Sequence, residues 1–462
     1  FLFLVMGGEA ANAARAARSA SRKLQALSTE ERCAAMNAVA SALESRSAEI
    51  LAANAEDVRE AKEQGVAAPL QNRLQLNAKK LETLAAGTRA IASLDEPIGR
   101  VLQHTTIADN LELRQVTSPL GVLLVIFESR PDALPQIAAL ALRSGNGVLL
   151  KGGKEAARSN AVLHRVITEA LAGAGLPPEL IALVQGREGV DELLELDDVI
   201  DLVIPRGSNA LVTHIQSHTK IPVLGHADGV CHVYVDAAAN LPKACRIAVD
   251  SKVDYPAACN AMETLLVHES HLAGGGAEKL TGALRSAGVT LYGGPRAAAA
   301  LGLAPAPEGF HCEYGSLAAT VELVPSLAAA VAHIHAHGSS HTEAIVTEDA
   351  GAAKTFLESV DSACVFHNAS TRFADGFRFG LGAEVGVSTS RIHARGPVGV
   401  MGLLTTRWLL QGEGQVVRKD HGVTYRHDKH KVEPPPKGAT LKIAAAALVA
   451  FAAGTLVGKS KR

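Results

Sequence analysis

The chain has 462 residues, of which 47% are hydrophobic and 20% charged, and its 45 Lys and Arg residues nearly balance 47 Asp and Glu residues. This composition excludes an intrinsically disordered chain and predicts a soluble globular protein of two or three domains. The net charge of −2 gives no basic surface for nucleic acid, so we expect no nucleic-acid partner. The six cysteines show no C-x-x-C spacing and indicate thiols in a reducing compartment.

The first part of the chain, from about residue 10 to 91, is predicted to be helical because its apolar residues recur with helical spacing. Ser28 followed by Glu31 is a capping signal for one of these helices. After Pro97 the pattern changes to short apolar runs of strand length, which then alternate with helices as far as residue 218. This alternation predicts βαβ units and an open parallel sheet that binds a nucleotide at the carboxyl ends of its strands.

A second alternation of strands and helices, from about residue 222 to 368, predicts another α/β domain. The segment that follows, 372–399, is rich in glycine and irregular, which is typical of a loop around a site. The chain ends with three prolines and an uncharged, Ala-rich run of 15 residues, 443–457, which is shorter than the roughly 20 residues that cross a bilayer. We expect a plain helix or frayed tail there, with a weak membrane attachment through 441–462 as the alternative.

Two glycine turns follow predicted strands and precede predicted helices. They read Lys151-Gly152-Gly153-Lys154 and Pro205-Arg206-Gly207-Ser208. Glycines at such a turn let backbone N–H groups approach an anion, and the following helix N-terminus favours negative charge. Either turn alone also suits an ordinary βα connection, but the two together, with basic residues beside them, favour phosphate binding.

Cys259 lies in a proline-containing loop, residues 254–260, between a predicted helix and a predicted strand. A thiol at such a junction can be accessible and nucleophilic, whereas core packing is the alternative for any lone cysteine. Core packing is the prediction for four of the others, and the sequence leaves Cys312 open. These four are Cys33, Cys231, Cys245 and Cys364.

The 18 histidines form no recognised metal motif. His333, His335 and His337 are spaced by two, so on a helix they would point in different directions. The sequence contains neither H-E-x-x-H nor a Cys/His cluster, and we therefore expect no metal site. It also lacks the G-x-S-x-G nucleophile elbow of serine hydrolases.

Four long segments resemble the gamma-glutamyl phosphate reductases, also called glutamate-5-semialdehyde dehydrogenases, of the aldehyde dehydrogenase superfamily. These segments are 127–164, 201–236, 252–269 and 365–408. The resemblance covers about 10–417 and is closest to the reductase half of plant-type bifunctional delta-1-pyrroline-5-carboxylate synthetases. It implies an α/β, aldehyde-dehydrogenase-like fold, with a Rossmann-type parallel sheet in the cofactor domain, an α/β catalytic domain and a small oligomerisation element.

The domain boundaries implied by this resemblance are as follows. The N-terminal helices and the NADPH-binding domain span 1–225, with a return segment near 365–385, and the catalytic domain spans 226–364. The oligomerisation element combines 386–417 with 100–118, and 427–462 forms a Pro-rich linker and apolar tail outside the family pattern. A homo-oligomer is expected, located in the cytoplasm or, alternatively, in a plastid.

The activity implied by the resemblance is the NADPH-dependent reduction of L-glutamyl 5-phosphate to L-glutamate 5-semialdehyde and phosphate, a step of proline biosynthesis. Cys259 matches the catalytic cysteine, whose thiolate would expel phosphate and form a thioester that accepts hydride. The Cys259 backbone N–H and the Asn260 region would form part of the oxyanion hole. The resemblance leaves open whether a glutamate 5-kinase belongs to the same protein or is a separate partner.

Two alternatives accompany this interpretation. The nearest is an oxidative aldehyde dehydrogenase, but residues 223–229 carry no glutamate at the point where oxidising members activate water. The other is a non-catalytic, membrane-tethered scaffold, against which the intact loop around Cys259 argues.

The resemblance also implies binding residues. Lys151 would reach the adenosine ribose and, with Lys154, neutralise the 2′-phosphate of NADPH. Gly207 and Ser208 would lie over the pyrophosphate, and Glu313 would hold the nicotinamide ribose, an exposed loop acid being its alternative. Gly152, Gly153 and Arg206 complete the expected cofactor set. The expected substrate set is Arg130, Asn368, Ser370 and Arg372, of which the two arginines could instead form structural ion pairs.

Overall fold

The computed structural model describes residues 8–66, 68–128, 130–186, 188–207, 209–225, 228–417 and 423–432. The helices are α1 (Glu9–Gln25), α2 (Thr29–Ser45), α3 (Ser47–Glu63), α4 (Ala68–Leu74), α5 (Ala78–Ala92), α6 (Ala133–Ser144), α7 (Ala157–Gly173), α8 (Glu188–Leu194), α9 (Asn209–His218), α10 (Leu241–Val253), α11 (Gly276–Ser286), α12 (Pro295–Leu301), α13 (Leu327–His337) and α14 (Ala350–Ser359). The strands are β1 (Val101–Ala108), β2 (Leu111–Pro119), β3 (Val122–Phe127), β4 (Gly147–Lys151), β5 (Ile181–Leu183), β6 (Leu202–Arg206), β7 (Cys231–Val235), β8 (Met262–His268), β9 (Thr290–Gly293), β10 (Ala304–Pro305), β11 (Ala318–Val324), β12 (Thr342–Val346), β13 (Cys364–His367), β14 (Val387–Ser388), β15 (Gly396–Pro397), β16 (Leu404–Gln411) and β17 (Asp428–His430).

The N-terminal helices form where the sequence predicts them. Helix α2 begins at a capping box, in which the Ser28 hydroxyl accepts the Glu31 N–H and the Glu31 carboxylate accepts the Ser28 N–H. Helix α1 buries an alanine-rich face that includes Ala14 and Ala17. Small side chains on that face let the helix pack closely against the sheet that follows.

The first sheet is parallel, with the strand order β5-β4-β3-β6. Every residue of β3 is buried, and its alternate residues pack in two different cores, Val122 in one and Leu123 in the other. Helices therefore cover both faces, which explains the uninterrupted apolar run of this strand. The strands end together at Phe127, Lys151 and Arg206, and these residues mark the carboxyl edge of the sheet.

The second sheet contains seven parallel strands in the order β10-β9-β11-β8-β7-β12-β13. It is also covered on both faces, with Val233 in one core and Tyr234 in the other. The loop that carries Cys259 enters β8 from α10, as predicted. Cys259 therefore lies at the amino edge of this sheet.

The third sheet is antiparallel, with the order β16-β2-β1-β17. It joins the hairpin of 101–119 to strands close to the C-terminal end of the described chain. Trp408 and Leu410 on β16 are more than half exposed. These exposed apolar side chains lie within the segment predicted to form an oligomer contact.

The chain returns from the second domain to the first after β13. Strand β13 pairs in register with β12 as an edge of the seven-stranded sheet. By contrast, Ala383, Val385 and Val398 pack in the core of the first domain. The predicted return near 365–385 therefore contains residues of the second sheet at its start and residues of the first core at its end.

The sequence also makes predictions about the cysteines and the C-terminal tail. All six cysteines are described and free; Cys231, Cys312 and Cys364 are buried, whereas Cys33 and Cys245 are half-buried. Of the helices described, none is both long and apolar enough to span a bilayer. The prediction for 441–462 concerns residues outside the described ranges.

Candidate active site

The loop of Cys259 is held by tight turns and by a neighbouring strand. The Ala258 N–H donates to the Tyr255 carbonyl at 3.1 Å, and the Ala261 N–H donates to the Ala258 carbonyl at 2.9 Å. On β7, Cys231 Sγ lies 3.2 Å from the Cys259 carbonyl oxygen. Burial raises the pKa of Cys231 well above its ordinary value, so this thiol stays protonated and donates. The Cys259 backbone is thereby fixed to β7.

Gly229 passes directly over Cys259. A Cβ atom at Gly229 would lie 2.3 Å from the Cys259 carbonyl oxygen and 2.6 Å from its Cα atom. Only a residue without a side chain allows backbones to approach this closely. The Gly229 N–H donates to Glu313 Oε2 at 2.9 Å. The structure therefore places Glu313, the predicted ribose ligand, beside the loop of Cys259.

A narrow cavity of about 70 Å³ connects Cys259 with the carboxyl end of β6. Its lining includes Arg206, Gly207, Glu384 and Gly386. The cavity thus joins the amino edge of the second sheet, where the thiol lies, to the carboxyl edge of the first sheet. A ligand bound at that carboxyl edge could contact a group bonded to Cys259.

Glu384 and Arg206 both line this cavity. Burial raises the pKa of Glu384, an effect that Arg206 opposes and that Asp375 and the Cys259 thiolate increase. Burial and the charge of Arg130 lower the pKa of Arg206, but a guanidinium stays protonated at neutral pH. Arg206 therefore provides a positive charge that attracts the thiolate.

Sequence reasoning missed Glu384. It lies in the glycine-rich segment that was predicted to wrap a site, and Glu384 Oε2 accepts the Gly376 N–H at 2.9 Å. The segment 365–408, which resembles the reductases, contains this glutamate, but no spacing rule connects it with the thiol of Cys259, which lies 125 residues earlier. Only the return of the chain to the first domain brings it into the cavity.

The first glycine turn has the shape expected for binding a phosphate. Lys151 ends β4, and its Nζ donates to the Gly152 carbonyl at 2.8 Å. A Cβ atom at Gly152 would lie 2.1 Å from Asn160 Nδ2, so the turn leaves no room for a side chain. Lys154 is exposed where the turn leads toward α7. Packing against Asn160 therefore explains the glycine at 152, while the exposed Lys154 is a side chain of this turn that a ligand from solvent can reach.

Carboxylates lie close to both turns. Within the first turn, the Glu155 carboxylate occupies the space beside Gly153, and the Glu128 carboxylate lies against Gly207 in the second. A carboxylate can accept hydrogen bonds from ribose hydroxyls but repels a phosphate. The predicted partner Ser208 lies outside the described residues.

Two predicted substrate residues maintain the loop in which they lie. Asn368 has a φ of 53° and pairs with the backbone of Thr347, accepting its N–H at 3.1 Å and donating to its carbonyl at 2.9 Å. The Ser370 side chain is buried and accepts hydrogen bonds from the Ser251 hydroxyl and the Arg372 N–H. These hydrogen bonds show that both side chains stabilise the loop.

Arg372 and Asn260 tie this loop to that of Cys259. Arg372 Nε donates to Asp254 Oδ2 at 3.0 Å, and a second nitrogen of Arg372 donates to Asn260 Oδ1. Asn260 Nδ2 in turn donates to the Ala374 carbonyl at 2.8 Å. The structure thus shows the ion-pair alternative for Arg372. These bonds fix the orientation of the Asn260 side chain, whose amide nitrogen carries a second N–H besides the one that binds the Ala374 carbonyl.

Arginines surround the hydroxyl of Tyr255, on the same loop as Cys259. Arg73 Nε donates to the Tyr255 hydroxyl at 3.2 Å, and Arg73 Nη2 donates to the Ala257 carbonyl at 3.1 Å. Burial acts to raise the pKa of Tyr255, but the hydrogen bond and charge of Arg73, followed by those of Arg130, lower it below its ordinary value. These surroundings favour an anion. Sequence reasoning missed both Arg73 and Tyr255.

Comparisons with known proteins show which family the chain belongs to. The sequence profile of the aldehyde dehydrogenase family matches residues 7–290. The chain is 59% identical to delta-1-pyrroline-5-carboxylate synthase B of Arabidopsis thaliana over 412 residues, which are 89% of this chain and 56% of the synthase. It is 49% identical to the gamma-glutamyl phosphate reductase of Acaryochloris marina over 419 residues, which are 90% of this chain and 97% of that protein.

The fold is similar to that of a solved reductase. The crystal structure of gamma-glutamyl phosphate reductase from Thermotoga maritima superposes with a TM-score of 0.85 at 36% identity, covering 88% of this chain and 99% of that one. The chain therefore spans nearly the whole of the single-function reductases, but little more than half of the plant synthase.

Proposed function

Because the chain belongs to the aldehyde dehydrogenase family and, within it, to the gamma-glutamyl phosphate reductases, we propose that it reduces L-glutamyl 5-phosphate to L-glutamate 5-semialdehyde and phosphate with NADPH. This membership confirms the resemblance and the aldehyde-dehydrogenase-like fold class predicted from the sequence. The observation that carries the proposed activity is the cavity that joins Cys259 to the carboxyl end of β6.

The proposed reaction begins at the thiolate of Cys259. Its sulfur attacks the acyl carbon, the bond from that carbon to the phosphate oxygen breaks, and phosphate leaves with the bonding electron pair. Cys259 then carries the glutamyl group as a thioester. Arg206 stabilises the thiolate before attack, since it lies in the same cavity with a positive charge.

The second half of the reaction reduces this thioester. Aldehyde dehydrogenases use nicotinamide cofactors, and the cofactor, when bound, supplies hydride to the acyl carbon. The backbone N–H groups of the Cys259 loop stabilise the oxyanion that develops there. Breaking the carbon–sulfur bond releases the aldehyde and returns the thiolate of Cys259.

The turns at the carboxyl edge of the first sheet are the proposed cofactor site. Lys151 and Gly152 hold the adenosine ribose, and Glu313 holds the nicotinamide ribose beside Gly229. Preference for NADPH over NADH depends on two opposing effects on the 2′-phosphate, namely attraction by Lys151 and Lys154 and repulsion by the nearby Glu155 carboxylate. We propose that the attraction is the stronger effect, and the ratio of kcat/KM for the two cofactors measures the difference.

The arginine cluster around Tyr255 is the proposed anchor of the substrate carboxylate. Its members lie on the loop of Cys259 or directly against it, so they can hold the glutamyl chain while the acyl carbon lies at the thiol. A guanidinium matches a carboxylate with two parallel hydrogen bonds. The antiparallel sheet, with its exposed Trp408 and Leu410, is the proposed contact between copies of the chain.

A coupled assay tests this function. The protein is mixed with glutamate, ATP, NADPH and a separate glutamate 5-kinase, which is the proposed source of the labile acyl phosphate. We expect consumption of NADPH that requires the kinase and falls more than about 10³-fold in Cys259→Ala. Cys245→Ala is the matched control, since it removes a half-buried thiol outside the cavity. Unchanged activity in Cys259→Ala would overturn the mechanism.

A second assay separates the oxidative alternative. In the reverse direction, we expect NADP⁺ reduction with L-glutamate 5-semialdehyde to depend on inorganic phosphate, because phosphate must attack the thioester. Oxidation of simple aldehydes without phosphate, at a comparable kcat/KM, would instead assign the chain to the oxidative enzymes. A folded protein with neither activity would support the scaffold alternative.

A further inference from the structure

A set of metal-ligating side chains lies on the antiparallel sheet, in a different part of the fold from Cys259. His104 on β1, Glu112 on β2 and His430 on β17 each present a ligand atom, and these atoms lie within 4.8 Å of one another. Among the residues that the structure describes, this is the one group of three histidine, cysteine or acidic side chains that comes so close. The proposed reaction does not use it.

Strand register brings these side chains together. His104 is the direct cross-strand partner of His430, and Thr106 is the partner of Glu112. Because side chains alternate along a strand, His104 and Thr106 share one face. Directly opposed residues of antiparallel strands have Cβ atoms roughly 4.5–5.5 Å apart. The backbone therefore holds all three ligands on the same face.

Hydrogen bonds orient the ligand atoms toward one point. His104 Nε2 lies 2.6 Å from Glu112 Oε2, and the Thr106 hydroxyl donates to Glu112 Oε1 at 2.7 Å. The Thr106 Oγ1 atom also lies 2.6 Å from His430 Nε2. His104 and Glu112 are about one-third exposed and His430 is exposed. An ion from solvent can therefore reach the cluster.

We propose that His104, Glu112 and His430 bind one Zn²⁺ ion, with a water molecule or the Thr106 hydroxyl as the fourth ligand. Two imidazole nitrogens and one carboxylate oxygen form a typical zinc donor set. Ligand atoms around tetrahedral zinc stand about 3.3 Å apart, so closure requires small side-chain rotations. Arg114 is the cross-strand partner of His104 on β2, and Asp428 is the partner of Thr106 on β17, so the two charges beside the cluster are of opposite sign.

This proposal departs from the expectation, drawn from sequence motifs, that the chain has no metal site. The ligands come from three strands, and the hydrogen bond from Thr106 to His430 spans 324 residues. Short-range spacing rules cannot detect such a set. A cation there would fasten β17, which has only three residues, all exposed, to β1 and so close a loop of more than 300 residues.

Zinc titration of the chelator-treated protein tests the proposal. We expect one Zn²⁺ per chain by calorimetry, and more than about 100-fold weaker binding in His104→Asn, Glu112→Gln and His430→Asn, since even the loss of an outer partner of a ligand costs 10–100-fold. His427→Asn is the matched control, because it lies in the same segment but outside the cluster. Substitution with Co²⁺ reports the donor atoms, since a thiolate ligand such as Cys259 adds a charge-transfer band.

Hydrogen exchange provides the second readout. Zinc should slow amide exchange in 101–108 and 428–430 of the wild type and leave both segments unchanged in His430→Asn. Equal zinc affinity in wild type and His430→Asn, or a cobalt spectrum that shows thiolate ligation only, would overturn the proposal. Binding of less than one equivalent, with no change in exchange, would mean an adventitious ion only and would also refute it.

Discussion

Replacing Gly229 by alanine perturbs the thiol loop through a single methyl group. The added Cβ atom would lie 2.3 Å from the Cys259 carbonyl oxygen and 2.6 Å from its Cα atom, whereas ordinary contacts begin at 3.4 Å. Both neighbours are backbone atoms, so no side-chain rotation relieves the overlap. The Cys259 loop must therefore shift by about 1 Å, the difference between these distances.

The substitution is expected to slow catalysis without unfolding the protein. A misplacement of about 1 Å can lower a rate by about 100-fold, and overpacking costs about 1–3 kcal/mol of unfolding free energy. We therefore expect kcat to fall about 100-fold in Gly229→Ala while the protein remains folded. The three atoms nearest to the new methyl group all belong to the Cys259 backbone rather than to the substrate anchor around Tyr255, so KM should change less than kcat.

Steady-state kinetics of phosphate-dependent semialdehyde oxidation and urea unfolding measure these two quantities. Gly282→Ala is the matched control: a Cβ atom there meets no atom within 4 Å, and alanine favours helix α11 by roughly 0.5–1 kcal/mol. We expect the control to retain full activity. If Gly229→Ala retained activity within about threefold, the close approach would not position the thiol and the reasoning would be refuted.

Three further experiments test other charged groups of the structure. Arg73→Ala should raise KM about 10–100-fold, the cost of losing a hydrogen bond to a charged group, and an unchanged KM would exclude Arg73 from substrate binding. Alkylation of the Cys259 thiol with iodoacetamide, followed against pH, should shift to higher pH in Arg206→Met, which removes the positive charge that attracts the thiolate. Glu384→Gln should leave the profile close to that of the wild type, because burial favours the neutral, protonated carboxyl. A profile of Arg206→Met that coincides with that of the wild type would contradict the proposed electrostatics. Lys252 Nζ lies 2.6 Å from Glu263 Oε2 with both side chains fully buried, so Lys252→Met should destabilise by roughly 3–5 kcal/mol in urea unfolding and the added Glu263→Leu should recover most of this loss. A double variant as unstable as the single one would refute the pairing.

The two parallel sheets were predictable because buried strands carry their own signal. A strand covered on both faces needs apolar residues at every position, as in Val122–Phe127, and the helices between such strands keep their own period. The loop of Cys259 was predictable for a related reason. Pro256 interrupts both patterns at a position where the helix before it and the strand after it are clear.

Partners that meet across the fold were not predictable from spacing. The hydrogen bond from Arg73 to Tyr255 spans 182 residues, and neither residue belongs to a local motif. The side-chain contacts of Asn260 and Arg372 were not predictable either. Both residues flank a recognisable site, and their side chains bind each other, Asp254 and the backbone carbonyl of Ala374. Their roles in binding the oxyanion and the substrate stay predictions.

Glu384 affects whether the proposed thioester on Cys259 is reduced or hydrolysed. Residues 223–229 contain no glutamate, yet the structure places the carboxyl of Glu384 in the cavity of Cys259. A base that activates water must be ionised and have a free lone pair aimed at that water. Burial instead raises the pKa of Glu384, which favours its protonated form, and one oxygen already accepts the Gly376 N–H. The survival of the proposed thioester therefore depends on the protonation and orientation of Glu384 rather than on the absence of a carboxyl group.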